Sequence, residues 1–532
     1  MDARHDVIWP RPRSDDPLAW LARQLEPTGA PGWLYPRWLF LRALGLIFGS
    51  AFYSLAFQIH GLIGQRGILP VDSYLTDVAA ALPGLERFWF APTLLWASPT
   101  DRALTVVVAA GLVCSALLVL NLWPRLSVAL CTLLFLSCVS ALQDFSSYQS
   151  DGMLLEAGFL SIFFAPRGVR PGLGARHPPT RASLFLLQWE WFRIYFWSGV
   201  VKLASGDHHW RDFTAMDRYY ETGPLPSWPG WYVQHLPHLY HAGTVVLTLL
   251  IELVLVWALF LPRRFRLALC ALVSLFQLGI IATANYAFLN YLVLALGVLL
   301  LDDAAVAAIA RRLGRPGWMT DEAGDEPADG PAAAPRAGWR RWGAGLSLGI
   351  VFWTTVAAPV AGSLPAPLVA PVQALAPFRI ANEYGLFAVM TDERLDVEFQ
   401  GTRDGRTWIA YPFRYKPQDV REAPGIYAPY QPRFDWNLWF ASLGAWRQSP
   451  WVAVTQARLL AGDADVLSLF AGDPFAGGAP PIAVRTVLWR YRFSTWAEHR
   501  ATGRWWDREL LGPFAGTVLR GPDGRMTLTE SP

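Results

Sequence analysis

The sequence predicts a polytopic α-helical membrane protein, with about nine transmembrane helices and a C-terminal α+β domain outside the cytoplasm. Of the 532 residues, 53% are hydrophobic and only 16% are charged, and the mean hydropathy is +0.25. This composition is too apolar for an ordinary soluble protein. Long apolar runs recur as far as residue 363, and from about residue 372 regularly spaced polar residues replace them.

The apolar runs are long enough to cross a bilayer, since about 20 residues suffice at about 1.5 Å of rise per residue. They occur at residues 38–58, 103–121, 126–143, 148–166, 184–204, 243–261, 267–284, 287–301 and 342–363. The fourth run contains Asp151 and Glu156, so a re-entrant or partly wet helix is the alternative there.

Arginine distribution orients the predicted helices, because short cytoplasmic loops are enriched in positive charge. With a cytoplasmic N-terminus, the inner loops collect most arginines and the outer loops few. Nine helices that start inside end outside, in the periplasm of a bacterium or the endoplasmic reticulum lumen of a eukaryote. The expected parts are a cytoplasmic segment (1–37), a membrane domain (38–313), a disordered cytoplasmic linker (314–340), a last transmembrane helix (341–363) and a soluble domain (372–532).

The soluble domain alternates between strand-like and helix-like patterns. LDVEFQGTRDGRTWIAYPFRY alternates apolar and polar residues around Asp404-Gly405, which predicts a β-hairpin with a tight turn. FDWNLWFASLGAW and PWVAVTQARLLAG have helical spacing, and AVRTVLWRYRFST and GRWWDRELLG return to strand and turn patterns. These segments together predict an α+β domain.

The run 184–204 carries Glu190, Arg193 and Lys202, although an ionisable group at mid-membrane costs about 2.5–3.5 kcal/mol. These side chains must therefore face protein or water. Glu190 and Arg193 are three residues apart, so an ion pair within the helix is predicted. Depths counted from the outer ends of the runs place Arg193 level with Glu252, and Glu156 nearer to Lys202. The charges either fix helix packing or line an internal site.

Lys202 has two interpretations. It lies near the outer boundary, where a lysine side chain reaches water along its apolar stem. Alternatively, burial makes it a base in a membrane enzyme.

The remaining side-chain patterns give no metal site and no cofactor. His208 and His209 are adjacent, and His235, His238 and His241 recur every third residue, but all three of that series cannot meet one ion. The four cysteines lie in apolar runs, as small buried hydrophobes do. No catalytic fingerprint is present, and a net charge of +3 argues against nucleic acid as a partner.

Eight segments occur in order over roughly residues 33–515: YQSDGMLLEAGFLSIFFAP, RIYFWSGVVKLASGDHHWRD, YYETGPLP, ATANYAFLN, NEYGLFAVM, EFQGTRDGRTW, APYQPRFDWNLWFASLG and TGRWWDREL. Together they resemble the lipase maturation factor family. The resemblance implies a multi-pass membrane protein of the endoplasmic reticulum type, with a lumenal C-terminal domain, that assists folding of secreted lipases. A shorter segment, SGVVKLASGDHHW, is similar to part of vitamin K-dependent gamma-carboxylase, in which a lysine at the position of Lys202 is the base.

Two hypotheses follow. The first is a non-enzymatic maturation factor whose partners are exported client proteins, lipases among them, and the lipid bilayer. The second is an intramembrane enzyme that acts on a lipid-soluble substrate, with Lys202 as base in a polar cluster of Glu156, Glu190, Arg193 and Glu252. The outer-loop candidates are Asp151, Asp207, His208, Trp210, Arg211, Asp212, Glu221, Asn285, Tyr286 and Asn290. The client-binding candidates are Asp435, Trp436, Trp439 and Phe440.

Overall fold

A computed structural model describes residues 22–29, 32–146, 148–314, 338–521 and 523–529. Most of the predicted N-terminal segment and nearly all of the predicted linker lie outside the described residues. The rest forms a helical bundle and a C-terminal domain built on an antiparallel sheet, which confirms the predicted fold class.

The helices of the bundle are numbered in chain order. They are α1 Leu34–Ala56, α2 Ile59–Ile63, α3 Val71–Ala81, α4 Glu86–Phe90, α5 Asp101–Val119, α6 Pro124–Ala141, α7 Gln149–Phe164, α8 Arg181–Ala204, α9 His208–Arg211, α10 Tyr219–Thr222, α11 Trp228–Gln234, α12 His238–Leu253, α13 Arg263–Thr283, α14 Leu289–Gly297, α15 Asp303–Arg312, α16 Gly338–Ala357 and α17 Ala366–Leu375. Short 3-10 turns extend α12 to Phe260, α14 to Leu300 and α16 to Ser363.

Nine transmembrane helices are not confirmed. Within the described residues, six helices are long and apolar enough to cross a membrane: α1, α5, α6, α13, and α12 and α16 with their extensions. A seventh span results if α14 and α15, which meet at a bend of 106°, are one broken crossing.

The other two predicted spans, α7 and α8, form the interior of the bundle. α7 has 16 residues and is therefore about 24 Å long, less than a bilayer core of about 30 Å. Its residues 150–158 are all buried. α8 packs against α7, α12, α14 and α16. The two helices with the most intramembrane charge are thus enclosed by the more apolar ones, as the cost of exposing charge to lipid requires.

The described residues of the C-terminal domain form five strands in the order β2-β1-β3-β4-β5, and every neighbouring pair is antiparallel. The strands are β1 Arg394–Thr402, β2 Trp408–Ala410, β3 Ala483–Phe493, β4 Trp506–Arg520 and β5 Met526–Leu528, and the helices are α18 Arg433–Ser442, α19 Trp451–Ala461, α20 Ala464–Leu467 and α21 Trp496–Thr502. The predicted hairpin is confirmed, because β1 and β2 pair across Asp404 and Gly405. Gly405 has a φ of +72°, which glycine adopts without strain.

Two helices cover the sheet and bury the core of this domain. α18 packs on β1, and α19 packs on β3 and β4. The apolar side chains between them include Phe399, Phe434 and Phe470, all fully buried. Between the bundle and the sheet, residues 379–390 run without regular structure and contact α7 and α8.

Candidate functional site

Arg193 and Glu156 form a buried ion pair between α8 and α7. The second carboxylate oxygen of Glu156 accepts hydrogen bonds from the backbone N–H and side-chain amide of Asn382, at 3.0 and 3.1 Å, and from the hydroxyl of Tyr384 at 2.8 Å. Arg193 also donates to the backbone carbonyl of Asn382 at 2.7 Å. The segment that precedes the C-terminal domain therefore completes a charge network inside the bundle.

Glu190 lies beside this network and is fully buried. Neither of its carboxylate oxygens accepts a hydrogen bond of ordinary geometry from the described residues. Its polar neighbours are Glu156, Arg193 and Tyr384. The ion pair predicted between Glu190 and Arg193 is not formed, because the Arg193 guanidinium is directed to Glu156 instead.

Lys202 pairs with Glu252 of α12. Its Nζ lies 2.9 Å from both carboxylate oxygens and donates to the backbone carbonyl of Leu386 at 3.1 Å. A fourth acceptor, the carbonyl of Ser198, lies at 3.4 Å, and the Trp210 ring centroid lies 5.0 Å away. Four oxygens therefore lie within hydrogen-bonding distance of one nitrogen, which carries at most three N–H groups.

The predicted partners were thus exchanged: Arg193 meets Glu156, and Lys202 meets Glu252. The depth count was wrong because the end of an apolar run does not fix how far a helix extends beyond its neighbour. Gly199 of α8 lies against Glu252, where an added Cβ would be 2.9 Å from the Glu252 Cβ. The interpretation that Lys202 reaches water is also wrong, since its side chain is only 2% exposed.

Hydrogen bonds hold the loop after α8, residues 205–212, against residues 387–390. The Asp207 carboxylate accepts from the backbone N–H groups of His209 and Met390, at 3.0 and 2.7 Å. The buried indole of Trp210 donates to the carbonyl of Phe387 at 3.0 Å, and Arg211 donates to the carbonyl of Leu203. Among the other loop candidates, Asp212 and the side chain of His208 are exposed.

Asp207, His208 and His209 place potential metal-ligand atoms within 4.8 Å of one another. Two of the three are already engaged. Both Asp207 oxygens accept backbone hydrogen bonds, and the two ring nitrogens of His209 lie 2.8 Å from Thr214 Oγ1 and Asp392 Oδ1. These hydrogen bonds, which hold the loop in place, explain why the three side chains lie close together, and we assign no metal to them.

Asn285 joins the bundle to the C-terminal domain. Its amide donates to the carbonyls of Leu225 and Gly425 at 3.1 and 2.9 Å. Its carbonyl oxygen accepts from the N–H groups of Tyr427 and Ala428 at 2.7 and 3.1 Å. One buried amide therefore holds the ends of two loops from different parts of the chain.

Glu221 makes a second junction, because its carboxylate accepts the backbone N–H of Phe493 in β3 at 2.6 Å. Burial raises the pKa of this carboxyl. Arg394 of β1 reaches back to the backbone carbonyls of Glu221, Gly223 and Pro224. The loop and the sheet are thus connected by polar contacts in both directions.

The last two outer-loop candidates belong to the bundle. Tyr286 is buried against Tyr219 and Phe387. Asn290 donates to Gln277 at 2.6 Å, and Gln277 donates to the hydroxyl of Tyr195 at 2.7 Å.

The client-binding candidates on α18 differ in exposure. Asp435 and Trp436 are buried, and Trp439 donates its indole N–H to the carbonyl of Thr222 at 2.9 Å. Asp435 accepts the backbone N–H of Lys416 at 3.2 Å, and burial raises its pKa to about 6. Only the Phe440 ring of these four side chains is strongly exposed, at 45%.

Sequence reasoning did not identify several residues that complete the site. Arg433 pairs with the outer-loop candidate Asp151, and Arg394 and Lys416 both pair with Asp396, at 2.8 and 3.0 Å. Asn382 and Tyr384 lie in the segment NEYGLFAVM, which resembles the family but predicted no contact for either residue. The sequence signal for Arg433 was an arginine directly before the predicted helical segment FDWNLWFASLGAW, but its partner lies 282 residues away.

The arrangement holds the bundle and the C-terminal domain in contact through buried polar groups. Apart from Glu190, the charged members of the predicted polar cluster are paired, and residues 379–433 supply partners to α7 and α8. The bundle and the C-terminal domain share buried contacts through these residues.

Comparisons with known proteins cover both parts of the structure. The family model of the lipase maturation factor transmembrane domain matches residues 35–308, and that of the lipase maturation factor C-terminal domain matches residues 380–516. Lipase maturation factor 1 of Bos taurus is 34% identical over 507 residues, which is 92% of this chain and 89% of the relative. The Homo sapiens protein of that name is 33% identical over 512 residues, again 92% and 89%.

Lipase maturation factor 2 of Gallus gallus is 31% identical over 585 residues, covering 91% of this chain and 82% of the relative. No solved structure matches this chain. Both domains match in the same order, and the relatives are aligned along almost their full length. The chain therefore belongs to the lipase maturation factor family.

Proposed function

We propose that this protein is a membrane-bound maturation factor that assists the folding of exported lipases. The observation that carries the proposal is the full-length similarity to proteins named lipase maturation factor 1 and 2, at 34% identity over 92% of the chain in the Bos taurus protein. The similarity includes both the bundle and the C-terminal domain, so it concerns the whole molecule.

The geometry supports a scaffold. Asp151 with Arg433, Glu221 with the Phe493 backbone, and Asn285 with the 425–428 loop all join the C-terminal domain to the bundle. A domain held by buried polar contacts keeps a defined position relative to the membrane. The Lys202 nitrogen is engaged by Glu252 and two backbone carbonyls, which favours a packing role over that of a base. We therefore do not propose the enzyme.

We propose that the N-terminus is cytoplasmic and that the C-terminal domain faces the lumen or the periplasm. The arginine bias of the sequence supports this orientation. The membrane is the endoplasmic reticulum in a eukaryotic host and the inner membrane in a bacterial one. An alkaline phosphatase fused after residue 400 will be active, since the enzyme requires an oxidising compartment. Activity only of a cytoplasmic reporter at that position would contradict the orientation.

The exposed apolar side of α18 is our candidate for client contact. Phe440 and Leu443 are 45% and 43% exposed, and Trp439 beside them contacts the 207–226 loop through Thr222. Exposed apolar side chains near a rigid junction suit transient binding of an incompletely folded polypeptide. The other two candidates on this helix, Asp435 and Trp436, are buried and hold the helix against the rest of the protein.

The test uses host cells that lack the protein and secrete a lipase. The wild-type gene should restore lipase activity per amount of lipase protein, and Phe440→Ser with Leu443→Ser should reduce it. The matched control is Leu528→Ser, which removes a side chain of similar exposure, 44%, from β5 at the far edge of the sheet. Full lipase maturation by the double variant would reject the surface. Unchanged lipase activity in cells without the protein would reject the function itself.

A further inference from the structure

A cavity of about 370 Å³ lies between α12 and α13. It exists because the two helices scarcely touch: α12 packs against α8, and α13 packs against α14. Its volume is within the range of about 300–1,000 Å³ for small-molecule sites. The walls are mainly apolar and include Ile194, Leu247, Leu272, Phe276 and Val293.

The cavity opens sideways, between two helices that are both candidate membrane spans. At its mouth, Leu247 and Leu275 are 40% and 71% exposed. Gly279 also lines it, and a Cβ added there would meet nothing within 4 Å. Membrane spans at these two positions would turn the mouth toward the hydrocarbon of the bilayer.

Polar groups mark the two ends. Tyr219, Tyr220 and Tyr240 line one end, near the start of α12, and Lys202 and Glu252 line the other end, near the last residue of that helix. From Tyr240 to Glu252 the cavity follows α12 for about 18 Å, at about 1.5 Å per residue. One leaflet of a bilayer core of about 30 Å has nearly this depth. The cavity thus has the length of one lipid chain.

We propose that this cavity binds one long hydrocarbon chain of a membrane lipid. This inference goes beyond client maturation and does not depend on it. A chain in the bilayer is already in an apolar environment, so its retention depends on shape and on the polar ends of the cavity rather than on the hydrophobic effect. A phospholipid places its glycerol region, and a free fatty acid its carboxyl, near the tyrosines, because the Lys202 nitrogen is already engaged by Glu252 and two backbone carbonyls. Both sources supply the same chain.

The first experiment measures lipid that remains on the purified full-length protein after extensive detergent washing, by native mass spectrometry. The wild type should retain one chain-bearing lipid. Gly279→Phe fills the cavity and should lose it. Gly243→Phe is the matched control, because Gly243 lies on the neighbouring helix, also has nothing within 4 Å of an added Cβ, and does not line the cavity. Loss from both variants, retention by Gly279→Phe, or no lipid on the wild type would overturn the proposal.

A second pair of variants applies if Gly279→Phe does not accumulate. Leu275→Trp narrows the mouth and should release the lipid, while Leu278→Trp changes an exposed leucine of the same helix outside the cavity lining and should not. Equal retention by the two tryptophan variants would overturn the proposal.

The source of the chain is identified with two photoreactive probes in nanodiscs. One is a phosphatidylcholine with a diazirine in its acyl chain, and the other is oleic acid with the same group. Crosslinks from the bound probe should fall on the cavity face of residues 272–283 and disappear in Gly279→Phe but not in Gly243→Phe. Labelling by phosphatidylcholine alone assigns a bilayer phospholipid, and labelling by oleic acid alone assigns a free acid. No variant-sensitive crosslink from either probe would contradict the site.

Discussion

Arg433 and Asp151 form a two-bond ion pair inside the protein, with Nη1–Oδ2 and Nη2–Oδ1 distances of 2.7 and 2.8 Å. Both side chains are fully buried, and Arg433 also donates to the carbonyl of Phe145 at 2.8 Å. Arg433 begins α18 of the C-terminal domain and Asp151 lies in the first turn of α7. The pair therefore connects the C-terminal domain to an interior helix of the bundle.

Arg433→Ala should destabilise the protein by about 3–5 kcal/mol, because it leaves the Asp151 carboxylate buried without its partner. Arg433→Lys should also lose stability, since an ammonium cannot reproduce the two parallel bonds. Thermal unfolding of the detergent-purified variants measures both effects. The control is Arg433→Met with Asp151→Leu, which removes both charges and should recover much of the loss. If the double variant is less stable than Arg433→Ala, the pair is not the cause.

Lys202 and Glu252 should behave as a coupled pair. Lys202→Met alone leaves a buried carboxylate and should reduce accumulation of folded protein more strongly than Lys202→Met with Glu252→Gln. The measurement is the amount of monodisperse protein in size-exclusion chromatography. Additive effects of the two changes would show that each residue acts through other partners.

Asn285→Ala should lower the free energy of unfolding by several kcal/mol, since each buried group left without a partner costs about 1–3 kcal/mol. It should also expose the 425–428 loop to limited proteolysis. Gln149→Ala is a control, because Gln149 also makes two hydrogen bonds with the Gly385 backbone, but at an exposed position where water replaces them. Equal losses in the two variants would contradict the special role of Asn285.

The stability of the C-terminal domain should depend on the protonation of Asp435. Burial raises its pKa from an ordinary 3.8 to about 6. The folded state therefore binds the proton more tightly than the unfolded state, and the contribution of Asp435 to stability falls as the pH rises from about 4 to about 6. A pKa difference of this size corresponds to about 3 kcal/mol.

Asp435→Asn removes this titration. The unfolding temperature of the variant minus that of the wild type should therefore increase between pH 4 and pH 6 and level off above. Groups that titrate in both proteins cancel in the difference. A difference that stays flat across this range would show that Asp435 does not titrate there.

The sequence predicted the elements better than their contacts. The cost of exposing Arg193 and Lys202 to lipid predicted that they face protein, and the Asp404-Gly405 turn predicted a hairpin that the structure confirms. The partners of these two residues were not predictable from residue counts along the apolar runs. The Glu156 carboxylate accepts a hydrogen bond from the backbone N–H of Asn382, 226 residues away. Nothing local in the sequence indicates that residues 379–390 enter the bundle.

The number of spans shows the same limit. The apolar run at residues 148–166 predicts a helix, but it does not reveal that α7 is only 16 residues long and enclosed by other helices. Helix length depends on where the chain turns at Tyr148 and Ala165, which apolar composition does not determine. The classification of α7 as a crossing helix was therefore beyond what composition supports.

The position of Arg433 also bears on the order in which the protein is made. Asp151 enters the membrane without Arg433 until 282 further residues have been synthesised, which takes about 14–56 s at 5–20 residues per second. During that interval α7 has a carboxylate whose final partner does not yet exist. The bundle therefore reaches its final packing only after the C-terminal domain has been synthesised and has begun to fold. Truncation before residue 379 should consequently damage the bundle as well as remove the C-terminal domain.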